Sequence, residues 1–195
     1  MANDGVPAGH VDASAKDLQV PPAAEGQEAP QSAAVNLRYS TQPVLALIYG
    51  VIYYALVVVN YPKQLPSDPK PAAVRLQEEN AFSAVFSVSG ANACLSFCCF
   101  GPRSAHTFHI TGVLNYWVGL VLMTFLPCIT LFVMNSCTDL NVKLGGQKQN
   151  CVMAMLCSCF CWCCLVAQDA ESLDLMTGAK TGICAVTLPD NTAES

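Results

Sequence analysis

The fold class predicted for this chain is mainly α: a cysteine-rich helical membrane protein with three or four apolar segments and disordered tails. Three observations predict it. Charged residues are only 12% of the 195 positions and mean hydropathy is +0.39, so there is too little charge to clothe a water-facing surface. No Asp, Glu, Lys or Arg occurs in residues 39–62, 104–138 or 149–168, whereas core helices of a soluble protein need a polar face opposite the apolar one. Finally, residues 151–168 hold six cysteines in an uncharged run that stops at Asp169, and an uncharged run of that length reads as a buried helix.

Each element follows from local composition. Residues 1–38 are rich in Ala, Pro, Gln, Ser and acid without apolar periodicity, which predicts a disordered tail. Residues 44–61 form the first predicted transmembrane helix: the apolar stretch 44–59 is sixteen residues, about 24 Å as a helix, and Tyr61 extends it. Residues 62–80, with four prolines and six charges, predict a polar linker. Residues 81–100 are uncharged but diluted with Ser, Gly and Asn, which suits a re-entrant or protein-buried helix. Residues 113–134 are the strongest predicted span, with Tyr116 and Trp117 as interface aromatics and a bend at Pro127. In it, Gly119 predicts a close helix–helix contact, expected between copies of the chain. Residues 151–168 are the last predicted span, Gly178 stops the helix that follows, and 179–195 form a flexible tail. Three or four crossings remain open, because Lys and Arg are not biased to one set of loops.

Charge and termini exclude several classes. Net charge is −5, the pI is near 5.0 and no Lys/Arg cluster occurs, which excludes nucleic acid as a direct ligand. The first twenty residues lack a basic stretch followed by an apolar core, so no cleavable signal peptide is predicted. The expected location is the plasma membrane or an endomembrane, and the expected partners are membrane lipid and further copies of the chain. No phosphate-cradling glycine loop is present, and no motif ties a base to a nucleophilic cysteine. An enzyme is not predicted.

The cysteines carry the remaining chemistry. Cys157, Cys161 and Cys164 share one helical stripe, and Cys159 lies beside them; clustered thiolates are soft ligands for zinc, cadmium or copper(I). Cys94, Cys98 and Cys99, with His106 and His109 shortly after, form a second candidate set. Asp169 and Glu171, with Asp174, are expected where the last segment meets water, as an acidic collar that attracts cations. Packing and S-acylation explain the same cysteines and stay open.

Two blocks carry a resemblance. Cys94-Leu95-Ser96-Phe97-Cys98-Cys99-Phe100-Gly101-Pro102 and Cys157-Ser158-Cys159-Phe160-Cys161-Trp162-Cys163-Cys164-Leu165-Val166-Ala167-Gln168-Asp169 are similar to the two cysteine blocks of the placenta-specific gene eight family. That family includes the cornifelins, onzin and the plant cadmium-resistance and cell-number-regulator proteins. The resemblance covers roughly residues 85–178, within a predicted domain of residues 81–178; Ala167 stands where the family often has cysteine, and Gly101 departs from its first block. It implies a small cysteine-rich membrane protein of divalent-metal (zinc, cadmium or calcium) binding, transport or homeostasis. The alternative is a membrane-anchored, S-acylated scaffold in growth or cell-size regulation.

Overall fold

The first helix begins earlier than its apolar run. The computed structural model describes residues 31–183 and 185–188, with side chains from residue 41 on. In it α1, Gln31–Tyr53, absorbs residues 31–38 of the expected tail and carries Pro43 inside it; the tail expected over residues 1–30 lies outside the described residues. The helix then passes into a π-helical turn, Tyr54–Val58, where the wider Val59 N to Tyr54 O bond of 3.1 Å admits one extra residue. Tyr54 leaves this turn to contact the rings of Tyr116 and Trp117 at 5.0 and 4.9 Å.

The expected polar linker contains a helix, α2 (Pro71–Glu78). Proline suits the first helical turn, where its missing N–H costs nothing. Ala73 and Leu76 are buried, and the helix packs on α10 (Trp162–Thr177), so tertiary contact overrides the four-proline composition. Two short helices follow, α3 (Ala81–Ala84) and α4 (Gly90–Cys98). Next is α5 (Phe100–Ile110), in the stretch around Arg103 that composition leaves as a link.

The strongest expected span is not one helix. It divides into α6 (Tyr116–Phe125) and α7 (Pro127–Cys137), because Pro127 cannot continue an α-helix through its own N–H. After α8 (Leu140–Lys143), the expected span 151–168 also divides, into α9 (Cys151–Phe160) and α10, bent by 108° at Cys161. The first division falls at the bend expected from Pro127, and the second corrects the straight span read from hydropathy over residues 151–168. Among the described residues, Thr41–Val58 is the single continuous helix long and apolar enough to cross a membrane. The expected flexible tail is also corrected at its start: β1 (Lys180–Thr181) and β2 (Val186–Thr187) pair antiparallel, Lys180 opposite Thr187.

Three breaks share one backbone solution. Cys99, Leu126 and Cys161 sit between α4 and α5, α6 and α7, and α9 and α10, with φ near −130° and ψ between 35° and 54° (−136°/39°, −136°/54°, −129°/35°). Each donates its N–H to the fourth residue back, at 2.8, 2.7 and 2.9 Å. Each also accepts from the fourth residue on, at 3.3, 3.0 and 3.1 Å. The chain turns sharply while the hinge residue keeps both backbone bonds, so these turns cost little in an apolar setting. Both cysteine blocks therefore lie on hinges, and Phe100 and Trp162, the residues after two of them, meet edge to face at 4.3 Å.

Two apolar cores result. One joins Phe108, Met123, Leu131, Leu140, Leu165 and Leu173; the other joins Tyr53, Val57, Leu95, Ala105, Tyr116 and Leu120 between α1 with its π-turn, α4, α5 and α6. The close contact expected of Gly119 lies within the chain: a Cβ there would stand 3.3 Å from the Ala105 Cα of α5.

Candidate functional site

The lone cation between Glu79 and Asp139 is the centre of the molecule. Arg103 is fully buried, and its guanidinium is used on every edge. Nε donates to Asn92 Oδ1 at 2.9 Å, and Nη2 donates to the Ala170 carbonyl at 2.8 Å and to Asp174 Oδ1 at 3.0 Å. Nη1 lies 2.8 Å from His106 Nδ1. A guanidinium only donates, so His106 Nδ1 must accept and its proton must sit on Nε2. Burial and the neighbouring Arg103 charge hold the His106 pKa well below the usual histidine range, which agrees with that neutral tautomer. Its ring stands at 87° to Tyr61, with centroids 4.4 Å apart.

Asp174 is equally saturated. Oδ1 accepts from Arg103, from Tyr61 Oη at 2.7 Å and from Thr181 Oγ1 at 2.9 Å; Oδ2 accepts from Asn92 Nδ2 at 2.8 Å and from the Thr181 N–H at 3.0 Å. A buried ion pair overcomes its desolvation only when such extra hydrogen bonds are present. Burial opposes the Arg103 charge, but Asp174 and the neighbouring tyrosines hold its pKa above the ordinary value. Burial and the Asp174 charge push the Tyr61 phenol up as well. Three helices (α4, α5 and α10), the segment that follows the π-turn and the terminal hairpin are thereby fastened at one point.

The rest of the acidic block on α10 also faces inward, which corrects the expected collar. Asp169 is 3% exposed and accepts from Gln77 Nε2 of α2 at 3.3 Å. Burial pushes its pKa up to about 7, against a smaller opposing effect of the Gln77 bond. Gln168 Nε2 donates to the Leu76 and Glu79 carbonyls at 2.7 and 3.0 Å, closing the carbonyl end of α2. Glu171 is half-buried and accepts from Ser89 N at 3.1 Å, Ser89 Oγ at 2.6 Å and Asn92 Nδ2 at 2.8 Å, a carboxylate at the N-terminus of α4 where the helix dipole favours it. Each polar side chain of α10 latches a neighbouring segment, so these carboxylates do not form a water-facing ring.

The cysteines lie elsewhere. Cys94, Cys98 and Cys159 are exposed, while Cys99, Cys157, Cys161 and Cys164 are half-buried. Cys94 and Cys98 share one face of α4, and their mutual hydrogen bond raises the Cys94 thiol. Cys157 and Cys164 pack against the first apolar core. His106 is committed to Arg103 and does not complete a set with Cys94, Cys98 or Cys99. Among the described residues, no three His, Cys, Asp or Glu side chains come together to hold a metal ion, because the hinge at Cys161 divides the stripe Cys157–Cys161–Cys164 between two helix directions.

Sequence reasoning missed the node of Arg103, Asn92, Tyr61, Asp174 and Thr181. The signal for it was the isolation of Arg103 in a long uncharged stretch, since a solitary charge in such surroundings requires a partner. No protein-family model matches this chain, and no curated protein or solved structure is significantly similar to it.

Proposed function

We propose that the chain is a non-enzymatic, membrane-embedded helical scaffold whose exposed thiols are points of attachment for lipid or for other proteins. The observation that carries this reading is the inversion of α1: the window Thr41–Val58 has mean hydropathy 1.7, yet only 22% of it is buried. A core helix of a soluble protein hides such a face. Val44, Leu45, Ile48, Val51, Ile52 and Leu56 are instead exposed. Helices α6, α7 and α9, which pack in succession beyond α1, add Val121, Phe125, Ile129, Val152, Met155 and Phe160 to the uncovered apolar surface. Hydrocarbon is the solvent that suits this surface. The same inversion supports the plasma membrane or an endomembrane as the location. Carbonate extraction of cells expressing the full chain tests the reading: retention in the membrane pellet is expected, and recovery in the supernatant overturns it.

Divalent-metal handling is the second reading. It is favoured by the resemblance to the placenta-specific gene eight family and by the half-buried thiols Cys157, Cys161, Cys163 and Cys164 around one hinge. Ligands would have to be completed between copies of the chain. Elemental analysis of the detergent-purified protein, alone and as the Cys157→Ser/Cys161→Ser/Cys164→Ser variant, tests it: stoichiometric zinc or cadmium lost in the variant supports metal handling, and absence of metal from both excludes it.

A further inference from the structure

A cavity of about 570 Å³ opens between α1, the α4–α5 hinge and α6, with Leu45, Ala46, Tyr49, Cys98, Gly101 and Phe125 among its walls. Its volume falls within the ~300–1,000 Å³ of small-molecule sites. Among the described residues, no charged one lines it. The wall hydroxyls are already spent: Thr124 Oγ1 donates to the Leu120 carbonyl at 2.7 Å, and Tyr49 Oη donates to the Ile183 carbonyl at 3.2 Å. Apart from the exposed Gln42 amide at its mouth, such a cavity offers mainly shape and apolar contact, which favours a hydrocarbon chain over a polar metabolite. Its rim is continuous with uncovered apolar surface, since Leu45 is 62% and Phe125 61% exposed.

One wall carries a reactive group. Cys98 is an exposed thiol on the last turn of α4, one turn after the exposed Cys94. We propose that Cys98 is an S-acylation site and that the attached long acyl chain lies in this cavity, an inference that rests on the membrane reading above. The donor is a long-chain acyl-coenzyme A thioester. The Cys98 sulfur attacks the acyl carbonyl carbon, a new S–C bond forms, the carbon–sulfur bond to coenzyme A breaks, and the proton lost by Cys98 leaves on the coenzyme A thiol. Nothing is oxidised or reduced. Cys98 is distinguished from the exposed Cys159 by the cavity: a chain on Cys98 has an apolar bed within the same molecule.

The test is mass-tag acyl exchange on the full chain expressed in cells fed alkyne-tagged palmitate, in which each hydroxylamine-labile thioester adds one step. Cys98→Ser should lose one step, and Ala46→Phe, which fills the cavity without touching the thiol, should lose the same step. Thr124→Leu is the second filling variant should Ala46→Phe fail to accumulate. Cys159→Ser should leave the Cys98 step in place. A full set of steps in Cys98→Ser overturns the site, and a full set in both filling variants overturns the placement of the chain in the cavity. Carbonate extraction run in parallel separates the two readings. Cys98→Ser should remain in the pellet, held by α1, whereas unmodified Cys98 in a protein retained in the pellet defeats the acylation proposal alone. Wild-type protein in the supernatant defeats the membrane reading.

Discussion

Helix α10 carries Gln168, Asp169, Glu171 and Asp174, and α1 carries no charge between Thr41 and Tyr53, yet α10 is the buried helix and α1 the uncovered one. Ten residues of α10 are buried, the two aspartates among them, while most of the Thr41–Val58 window is open. The contrast teaches that burial here is allotted by available partners rather than by hydropathy. Each buried polar side chain of α10 makes at least one hydrogen bond to α2, α4, α5 or the terminal hairpin, so most of its removal from water is compensated, with Gln168 Oε1 and Asp169 Oδ2 left unpaired. Among the described residues, the apolar face of α1 has no protein partner of that kind and is left to its surroundings. In a membrane this is the economical arrangement, because hydrocarbon satisfies an apolar face and leaves only polar groups needing the protein interior.

The comparison breaks most severely at Arg103. Arg103→Leu leaves Asp174 buried with its charge uncompensated, and truncating one partner of a buried pair costs about 3–5 kcal/mol. The expected outcome is a large loss of the chaotrope midpoint in detergent micelles together with rapid proteolysis in the α2–α4 region. Arg103→Lys should recover little, because an ammonium cannot reach Asn92, His106, Ala170 and Asp174 at once. A variant within about 1 kcal/mol of wild type would show that the α10 latches hold without their central cation.

Asp169 sharpens the same half through pH. Its folded pKa, raised to about 7, lies above the unfolded carboxylate value, so the folded state binds the proton more tightly. Stability therefore falls as pH climbs from about 4 to about 7 and is level above that. Asp169→Asn should match wild type below pH 4 and gain on it above pH 7, by at most about 4 kcal/mol at roughly 1.4 kcal/mol per pH unit. Unfolding curves across that range check it, and a variant destabilised at pH 8 would mean that Asp169 is ionised and paired in the fold.

How much of this was legible in the sequence depends on the kind of force involved. The helical class, the first apolar span and the hinge at Pro127 follow from composition and from a residue that cannot continue a helix. The bend at Cys161 was not legible, because no proline or glycine marks it; its cause lies in Trp162 meeting Phe100 and in α10 docking through Asp174. The helix α2 was hidden by its prolines, although Pro71 is compatible with a helix start. The acidic block read as water-facing because sequence shows charge and not partners: Gln77, Ser89, Asn92 and Thr181 are 7 to 95 residues away from the side chains they satisfy. The Gly119 contact was legible as a contact, but its partner, α5 of the same chain, was not.

That contact lies on the seam between the two halves, since α5 holds Arg103 and α6 belongs to the uncovered set. Gly119→Leu drives a side chain into the Ala105 backbone, and overpacking of this kind costs about 1–3 kcal/mol. A lower unfolding midpoint with unchanged membrane retention is expected. Loss of membrane retention instead would place the seam in insertion rather than in folding.

The smallest effect is the most discriminating for α1. Leu173, fully buried on α10, and Ile48, 52% exposed on α1, are both truncated to alanine. Leu173→Ala should cost about 2–5 kcal/mol through lost contacts and a residual cavity. Ile48→Ala should fall within about 0.5 kcal/mol of wild type in micelles, because detergent covers the face in both. Ile48→Asp then separates lipid from water as the natural surroundings of that face. A carboxylate near the centre of a membrane span costs about 2.5–3.5 kcal/mol of insertion, whereas on a water-exposed helix it is harmless. Carbonate-extractable Ile48→Asp protein is the expected result. If instead Ile48→Ala is itself costly while Ile48→Asp stays fully membrane-bound, the outer face of α1 is covered by protein, and the uncovered set of helices is an assembly surface.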